Sequence, residues 1–261
     1  MTSFLLLPIT SLLFFILAFN LNRQINYPAI SVSQQDAALN FKSESLSLLS
    51  LGLKRLISDV MWIQTLMDSD TDHYKKKDLN SWLYLRFSAI AGLDPKFYEN
   101  YYYGSQYLMI VKDDLLGAED LLTKGLKYYP DDVQLNWQLG FLYGIEMKQP
   151  RRALPYFDAI KFNPKRPKFF DSLYTKFSAN ISGNQEAFDY ALEVWTKLPD
   201  GDNVKERLGK QLYTLKALID LECLNGGKTD CSRQDFLGND YKKEEGHWSA
   251  PLPLINLKLK N

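Results

Sequence analysis

The sequence predicts an all-α fold built from stacked helical hairpins. Two helix-sized segments, residues 116–130 and 152–164, each place a large residue one turn after a small one and then end at a proline, Pro130 and Pro164. The segments recur after about 34 residues, a period typical of helical repeat arrays. Apolar residues three or four positions apart on both sides predict further helices.

A repeat signature is densest in the middle of the chain. It consists of Leu139, Gly140 and Tyr143 on a first helix and of Ala153, Phe157 and Pro164 on a second. These residues resemble the tetratricopeptide repeat (TPR) family, with one extra residue in the turn between the helices. The preceding unit matches less well, and its turn is about two residues longer than is usual in the family. Its matching residues are Gly104, Tyr107, Ala118, Leu122 and Pro130. The resemblance implies a right-handed α-solenoid of about four hairpins.

The N-terminus predicts a membrane anchor. Residues 4–21 carry no charge and, as a helix, would span about 27 Å, close to the thickness of a hydrocarbon core. A cleaved signal peptide is the alternative, but such peptides begin with basic residues and here only Met-Thr-Ser precedes the apolar run. We therefore expect residues 1–22 to form a single uncleaved transmembrane helix.

Two features bear on the orientation of that anchor. Arg23, the first charge after the span, would by itself keep the following chain in the cytoplasm. Cys223 and Cys231, the only cysteines, flank a short glycine-containing loop that suits a disulfide, and disulfides persist outside the cytosol. Two unrelated buried thiols are the alternative. The cysteines favour a soluble domain on the periplasmic side of a bacterial inner membrane.

The remaining chain divides by composition. Residues 23–43 predict a tether, residues 44–224 a TPR-like helical domain, and residues 225–261 an irregular tail with β-like alternation at its end. That final strand either pairs within the chain or adds to a sheet in another protein. The domain should open with one helix over residues 44–68, whose apolar stripe comprises Leu46, Leu49, Leu53, Leu56, Val60, Ile63 and Met67.

Polar residues and a tryptophan share another face of this first helix. Arg55 and Asp59 are four positions apart and can pair, and Trp62 follows on the same side. An exposed ion pair beside a core tryptophan is one interpretation. The other is a docking face where the first hairpin meets a partner or the membrane surface.

A concave groove is implied by the TPR resemblance. The family's groove positions fall here on Tyr98, Tyr101, Ser105, Leu108, Gln134, Trp137 and Phe141. An aromatic groove with few charges suits a peptide or a helix of a protein partner. Alternatively, the C-terminal segment or a capping helix fills the groove.

Several function classes lack support in the sequence. Basic and acidic residues are equal at 31 each, so nothing indicates nucleic acid as a partner. Residues 68–73 begin like a calcium loop but have His73 where glycine is needed and Leu79 where glutamate is needed. No catalytic motif is recognisable, which predicts a protein without metal, cofactor or enzymatic activity.

These observations predict a scaffold or accessory subunit that binds integral-membrane or envelope proteins in a pilus, secretion or other multi-subunit membrane machine. An assembly chaperone that binds client peptides in the groove is the alternative, and an enzyme with an unrecognised site is a third hypothesis.

Overall fold

The computed structural model describes residues 43–259 and, before them, the isolated positions 14, 16, 17, 20, 33, 35 and 38. The described part is mostly helical, as the sequence predicts. Its α-helices are α1 (Ser43–Leu49), α2 (Lys54–Met67), α3 (Trp82–Leu93), α4 (Tyr98–Gln106), α5 (Leu115–Tyr128), α6 (Val133–Phe141), α7 (Pro150–Ile160), α8 (Phe170–Ile181), α9 (Asn184–Lys197) and α10 (Asn203–Asn225).

Side-chain caps set the start of several helices. The residues before α3, α5, α6 and α10 each accept a hydrogen bond from a backbone N–H of the first turn, which satisfies a donor that the helix itself cannot. These caps are Ser81, Asp114, Asp132 and Asp202. Pro150 opens α7, where its missing N–H costs nothing.

The helices pack in sequence order. Each of α2 to α9 contacts the next helix along the chain, and α3 with α5, α4 with α6 and α8 with α10 also touch. One continuous apolar core runs through these contacts, with Phe87, Leu122, Phe157 and Phe177 fully buried along it. Each helix is thus held between neighbours close in sequence.

Two helices end in the same unusual way. A π-helical turn extends α4 over Tyr107–Val111, and another extends α6 over Leu142–Glu146, 35 positions later. A left-handed residue follows each turn, Asp113 and Lys148, again 35 positions apart. A π turn accommodates extra residues within a helix. It therefore accounts for the turns that are longer than the family pattern.

The first predicted helix is divided. Residues 50–53 interrupt the expected helix over 44–68, and both Leu51 and Gly52 have positive φ angles, 47° and 89°. Positive φ at Gly52 costs little, because glycine has no Cβ. The apolar spacing continues from one helix to the next, so it predicted a single helix. Gly52 is the only sign of the break in the sequence.

The C-terminal tail crosses the last helices. Strands β1 (Lys242–Glu244) and β2 (His247–Ser249) form an antiparallel hairpin, and the segment after them is extended without a strand partner in the described residues. Its backbone is held by side chains of α8 and α10: Asn180 donates to the Leu257 carbonyl at 2.8 Å, and the Ile255 N–H donates to Thr214 at 3.2 Å. The predicted pairing of the final strand is therefore absent from residues 250–259.

The cysteines form a disulfide between Cys223 and Cys231, with Cα atoms 5.7 Å apart. Among the described residues, no helix combines the length and the apolar character needed to span a bilayer. The predicted anchor at residues 4–21 lies outside the described residues, apart from isolated positions.

Candidate functional site

An aromatic cluster surrounds Trp137 on α6. Its ring centroid lies 5.1 Å from that of Phe169, 5.8 Å from that of Phe141 and 5.6 Å from that of the buried Phe157. Trp137 and Phe141 are partly exposed, whereas Phe169, which directly precedes α8, is 48% exposed. We call Trp137, Phe141 and Phe169 the Trp137 cluster. It offers rigid aromatic area at the surface without a charged side chain among its members.

A second cluster lies on α4, two helices before α6. Tyr98 and Tyr102 stack with ring centroids 5.9 Å apart, and Tyr103 meets Tyr102 edge-on at 4.7 Å. Tyr98 also donates a hydrogen bond to Asp132, the residue that caps α6. This tyrosine cluster therefore ties α4 to α6 while Tyr103 stays exposed.

Three of the predicted groove residues lie in the core instead. Tyr101, Ser105 and Leu108 are each 1% exposed or less. The Tyr101 hydroxyl donates to the Pro95 carbonyl, and Ser105 donates to the Gln138 side chain. These side chains join helices to one another, so the prediction that they face an open groove is corrected.

The physical reason is a shift of one residue in register. The π turns and the second helices of the two central units are both 35 positions apart, as Ala118 and Ala153 illustrate. The sequence alignment instead paired Gly104 with Gly140, a separation of 36. The small residues of the second helices, such as Ala118 and Ala153, show the spacing of 35 that the structure has.

A spacing of 35 changes which residues of α4 are equivalent to the predicted groove residues of α6. Gln134, Trp137 and Phe141, which are all partly exposed, correspond to Glu99, Tyr102 and Gln106. Tyr102 is therefore the α4 residue equivalent to Trp137, and the sequence alignment missed it. Tyr102 and Trp137 thus occupy equivalent positions on two helices that touch.

The predicted docking face on α2 is not assembled. Arg55 approaches Asp94 at 4.0 Å rather than pairing with Asp59, and its side chain is largely exposed, so the pair adds little stability. Trp62 packs on Phe97 with centroids 5.8 Å apart, and its buried indole N–H has no hydrogen-bond partner. Trp62 thus packs against the residue that precedes α4 and does not share an ion-paired surface with Arg55 and Asp59.

An apolar cavity of about 720 Å³ opens beside α10, where the C-terminal tail crosses it. The basic side chains at its rim are neutralised, since Lys205 pairs with Asp200 at 2.8 Å and Lys210 with Glu206 at 2.7 Å. Its walls include Trp195, Gly209, Tyr213, Leu237, Leu252 and Ile255. The sequence pattern did not indicate this cavity, because it forms only when the tail folds back on α10.

Some buried acidic side chains accept hydrogen bonds that connect neighbouring helices. Asp171 on α8 accepts hydrogen bonds from Arg166 at 2.9 Å and from Tyr190 on α9 at 2.5 Å. Burial and the Asp171 charge both raise the pKa of Tyr190, so this hydroxyl remains a donor throughout the physiological range. The arrangement links two helices and their preceding loop.

Asp114 plays a similar part at the start of α5. It accepts from the Ser81 hydroxyl and from the Gly117 N–H. Burial raises the pKa of its carboxyl, and the two hydrogen bonds oppose that rise. Since Ser81 caps α3, this contact joins the starts of α3 and α5.

The loop over residues 68–73 uses its acids for ion pairs. Asp68 pairs with Arg86 at 2.8 Å, and Asp70 pairs with the buried Lys112. In the described part of the chain, no group of three or more His, Cys, Asp and Glu side chains could hold a metal ion.

No protein-family model, curated protein or solved structure matches the chain.

Proposed function

We propose that the protein is a non-catalytic scaffold or accessory subunit built on a TPR-like, right-handed α-solenoid of about four hairpins. The observation that carries the proposal is the repetition at 35 positions of a helix, a π turn, a left-handed residue and a second helix. Contacts between neighbouring and next-neighbouring helices agree with such an array. Repeat arrays present extended surfaces, which favours binding over catalysis.

The partners that fit this surface are proteins. The Trp137 cluster and the tyrosine cluster supply half-exposed aromatic rings, the residue types that dominate the energy of protein–protein interfaces. Tyrosine and tryptophan bury large area with few rotatable bonds, so little side-chain entropy is lost on binding. The equal numbers of acidic and basic residues give no support for nucleic acid.

A membrane setting follows from the N-terminal sequence. Residues 4–21 form the proposed single-pass anchor, and the disulfide between Cys223 and Cys231 is consistent with a periplasmic domain on a bacterial inner membrane. The partners are then integral-membrane or envelope proteins of a pilus, secretion or other multi-subunit machine.

Chemical crosslinking of native membranes, followed by purification in mild detergent and mass spectrometry, tests the proposal. Phe169→Ala should lose most partner recovery, whereas Tyr128→Ala should keep it. The two aromatics are matched, since each is 48% exposed, but Tyr128 ends α5 and is not among the rings that contact Trp137. Recovery of the wild-type chain as an isolated monomer would count against a scaffold.

A transient assembly chaperone is a second candidate, supported by the C-terminal tail. The chain holds its own extended segment through Asn180 and Thr214, next to the apolar cavity beside α10. A surface of this kind can also accept a client peptide. Partners recovered at well below one copy per chain would favour a chaperone, and stoichiometric recovery a subunit.

A further inference from the structure

An apolar stripe covers the outer side of α2. Its residues are spaced three and four apart, so they lie along one face of the helix. All are strongly exposed: Leu53 at 58%, Leu56 at 56%, Val60 at 46%, Ile63 at 54% and Met67 at 80%. We call these five residues the α2 stripe. The sequence shows the stripe, and the structure places these five side chains on the outside.

The inner side of α2 carries different residues. Ser58, Met61 and Thr65 are the buried residues of the helix, and they lie opposite the α2 stripe on the helical surface. Two of the three are polar, and Thr65 satisfies its hydroxyl by donating to the Met61 carbonyl at 2.6 Å. Ile57, Trp62 and Leu66 are partly buried and also pack against the core, so α2 makes apolar contacts on its inner side and still leaves the α2 stripe outside.

The exposed apolar area extends to the start of the domain. Leu48 on α1 is 83% exposed and Leu51 in the following turn is 91% exposed. Together with the α2 stripe they form an apolar patch within twenty residues of chain. Patches of this kind on soluble proteins mark contacts with a membrane or a partner.

The chain before this patch indicates a membrane. Residues 4–21 are apolar and uncharged, and only residues 22–42 separate them from α1. Phe14, Ile16 and Leu17 are themselves more than half exposed. Twenty-one residues reach about 70 Å at most, which keeps the first helices near the surface of any bilayer that holds the segment.

The local charge is compatible with an anionic lipid surface. Lys54 lies at the start of α2, and Lys75, Lys76 and Lys77 follow its end; none of the four has an ion pair in the described part of the chain. Three aspartates of the same stretch, Asp59, Asp72 and Asp78, also lack ion pairs, which leaves a small net positive charge. Lys54 thus adjoins the first residue of the apolar stripe, where it can meet lipid phosphates, whereas Lys77 borders a cleft with Asp113 and Glu119.

We propose that the α2 stripe, with Leu48 and Leu51, lies on the bilayer surface and inserts its side chains among the lipid headgroups and upper acyl chains. Two membrane contacts, a spanning segment and an interfacial helix face, would then fix the domain's orientation and not only its distance from the membrane. This inference rests on the proposed anchor at residues 4–21. It adds that the first helices are held against the lipid.

The test uses the full chain reconstituted into liposomes of phosphatidylcholine and phosphatidylglycerol that contain a photoactivatable acyl chain. After illumination, lipid adducts are mapped by mass spectrometry. The peptide spanning α2 should carry at least fivefold more adduct than the peptides with Ile110 and Leu237, which are exposed apolar residues elsewhere, at 70% and 60%. The Leu56→Gln, Ile63→Gln variant should lose most of this labelling, while the Ile110→Gln, Leu237→Gln variant should keep it.

The outcomes separate the two proposals. Adducts on residues 4–21 without enrichment on α2 would overturn the lipid-facing stripe and leave the anchor intact. Absence of adducts from both regions would overturn the anchor as well. A second photoreactive experiment, with a benzophenone amino acid at position 63, detects proteins: crosslinks between two copies of α2, or to another protein, in place of lipid would also overturn the proposal.

Discussion

Replacement of Gly140 by alanine tests the packing of the central hairpin most directly. A Cβ atom at this position would lie 2.4 Å from Cε1 and 2.6 Å from Cδ1 of Phe157. Ordinary contacts between carbon atoms are roughly 3.5–4.0 Å. Phe157 cannot withdraw easily, because it is fully buried and its ring meets those of Trp137, Phe170 and Phe177 with centroids 5.3–5.7 Å apart.

The magnitude follows from two opposing effects. Alanine in place of glycine favours a helix by about 1 kcal/mol. Overpacking of a tight core costs about 1–3 kcal/mol, and an approach more than 1 Å too short places Gly140→Ala at the upper end, about 3 kcal/mol. The net loss is about 2 kcal/mol, which lowers Tm by about 4–8 °C in a domain of this size.

Gly209→Ala in the middle of α10 is the matched control. The nearest atom to its added Cβ is Nε1 of Trp195 at 3.4 Å, an ordinary contact. Here the helix preference acts alone, so Tm should rise by about 2–4 °C. Circular dichroism of the full chain in detergent micelles, on heating and in urea, measures both variants. If Gly140→Ala is as stable as the wild type while Gly209→Ala gains stability, the close approach of α6 and Phe157 is refuted.

Three further predictions concern polar groups and the disulfide. Replacing Cys223 and Cys231 by serine should lower the unfolding free energy by about 2–3 kcal/mol at most, because the bridge closes a short loop, and urea denaturation would show a matching loss. Asp171→Asn should cost about 2–3 kcal/mol by removing a charged, buried acceptor of Arg166 and Tyr190; an unchanged urea midpoint would contradict this. Asp114 has a pKa raised by burial, so its stabilising contribution is complete below the ordinary pKa of aspartate and is lost as the pH rises through the raised value. The wild type should therefore gain stability relative to Asp114→Asn as the pH falls from 7 to 4, and parallel pH profiles would refute the assignment.

The sequence predicted the helical class and most second helices well. Residues such as Ala153, Phe157 and Pro164 determine helix, packing partner and helix end at once, so the pattern has few alternative interpretations. The register of α4 was harder. Both Gly104 and Ser105 are small and buried, and either can face a neighbouring helix, so the signature alone left an error of one residue.

Burial faces were the least predictable feature. Periodicity shows that one side of α2 is apolar, but it does not show whether that side meets the domain or its surroundings. A helix with neighbours on both sides, such as α6, has its apolar face covered by them. No helix among the described residues covers this side of α2, and Ile63 and Met67 remain outside.

The two ends of this helical array are treated differently. At the C-terminal end, the tail lies across α8, α9 and α10, and Leu257 is buried against Ala187 and Leu215. At the N-terminal end, no described residue covers the α2 stripe, although covering it would have stabilised an isolated domain. The uncovered end is also the end nearest the uncharged residues 4–21. The chain covers its C-terminal end with its own tail and leaves apolar side chains exposed at the other. We infer that another surface contacts that other end. For α2, the surface that we propose is the bilayer to which the proposed anchor would bring it.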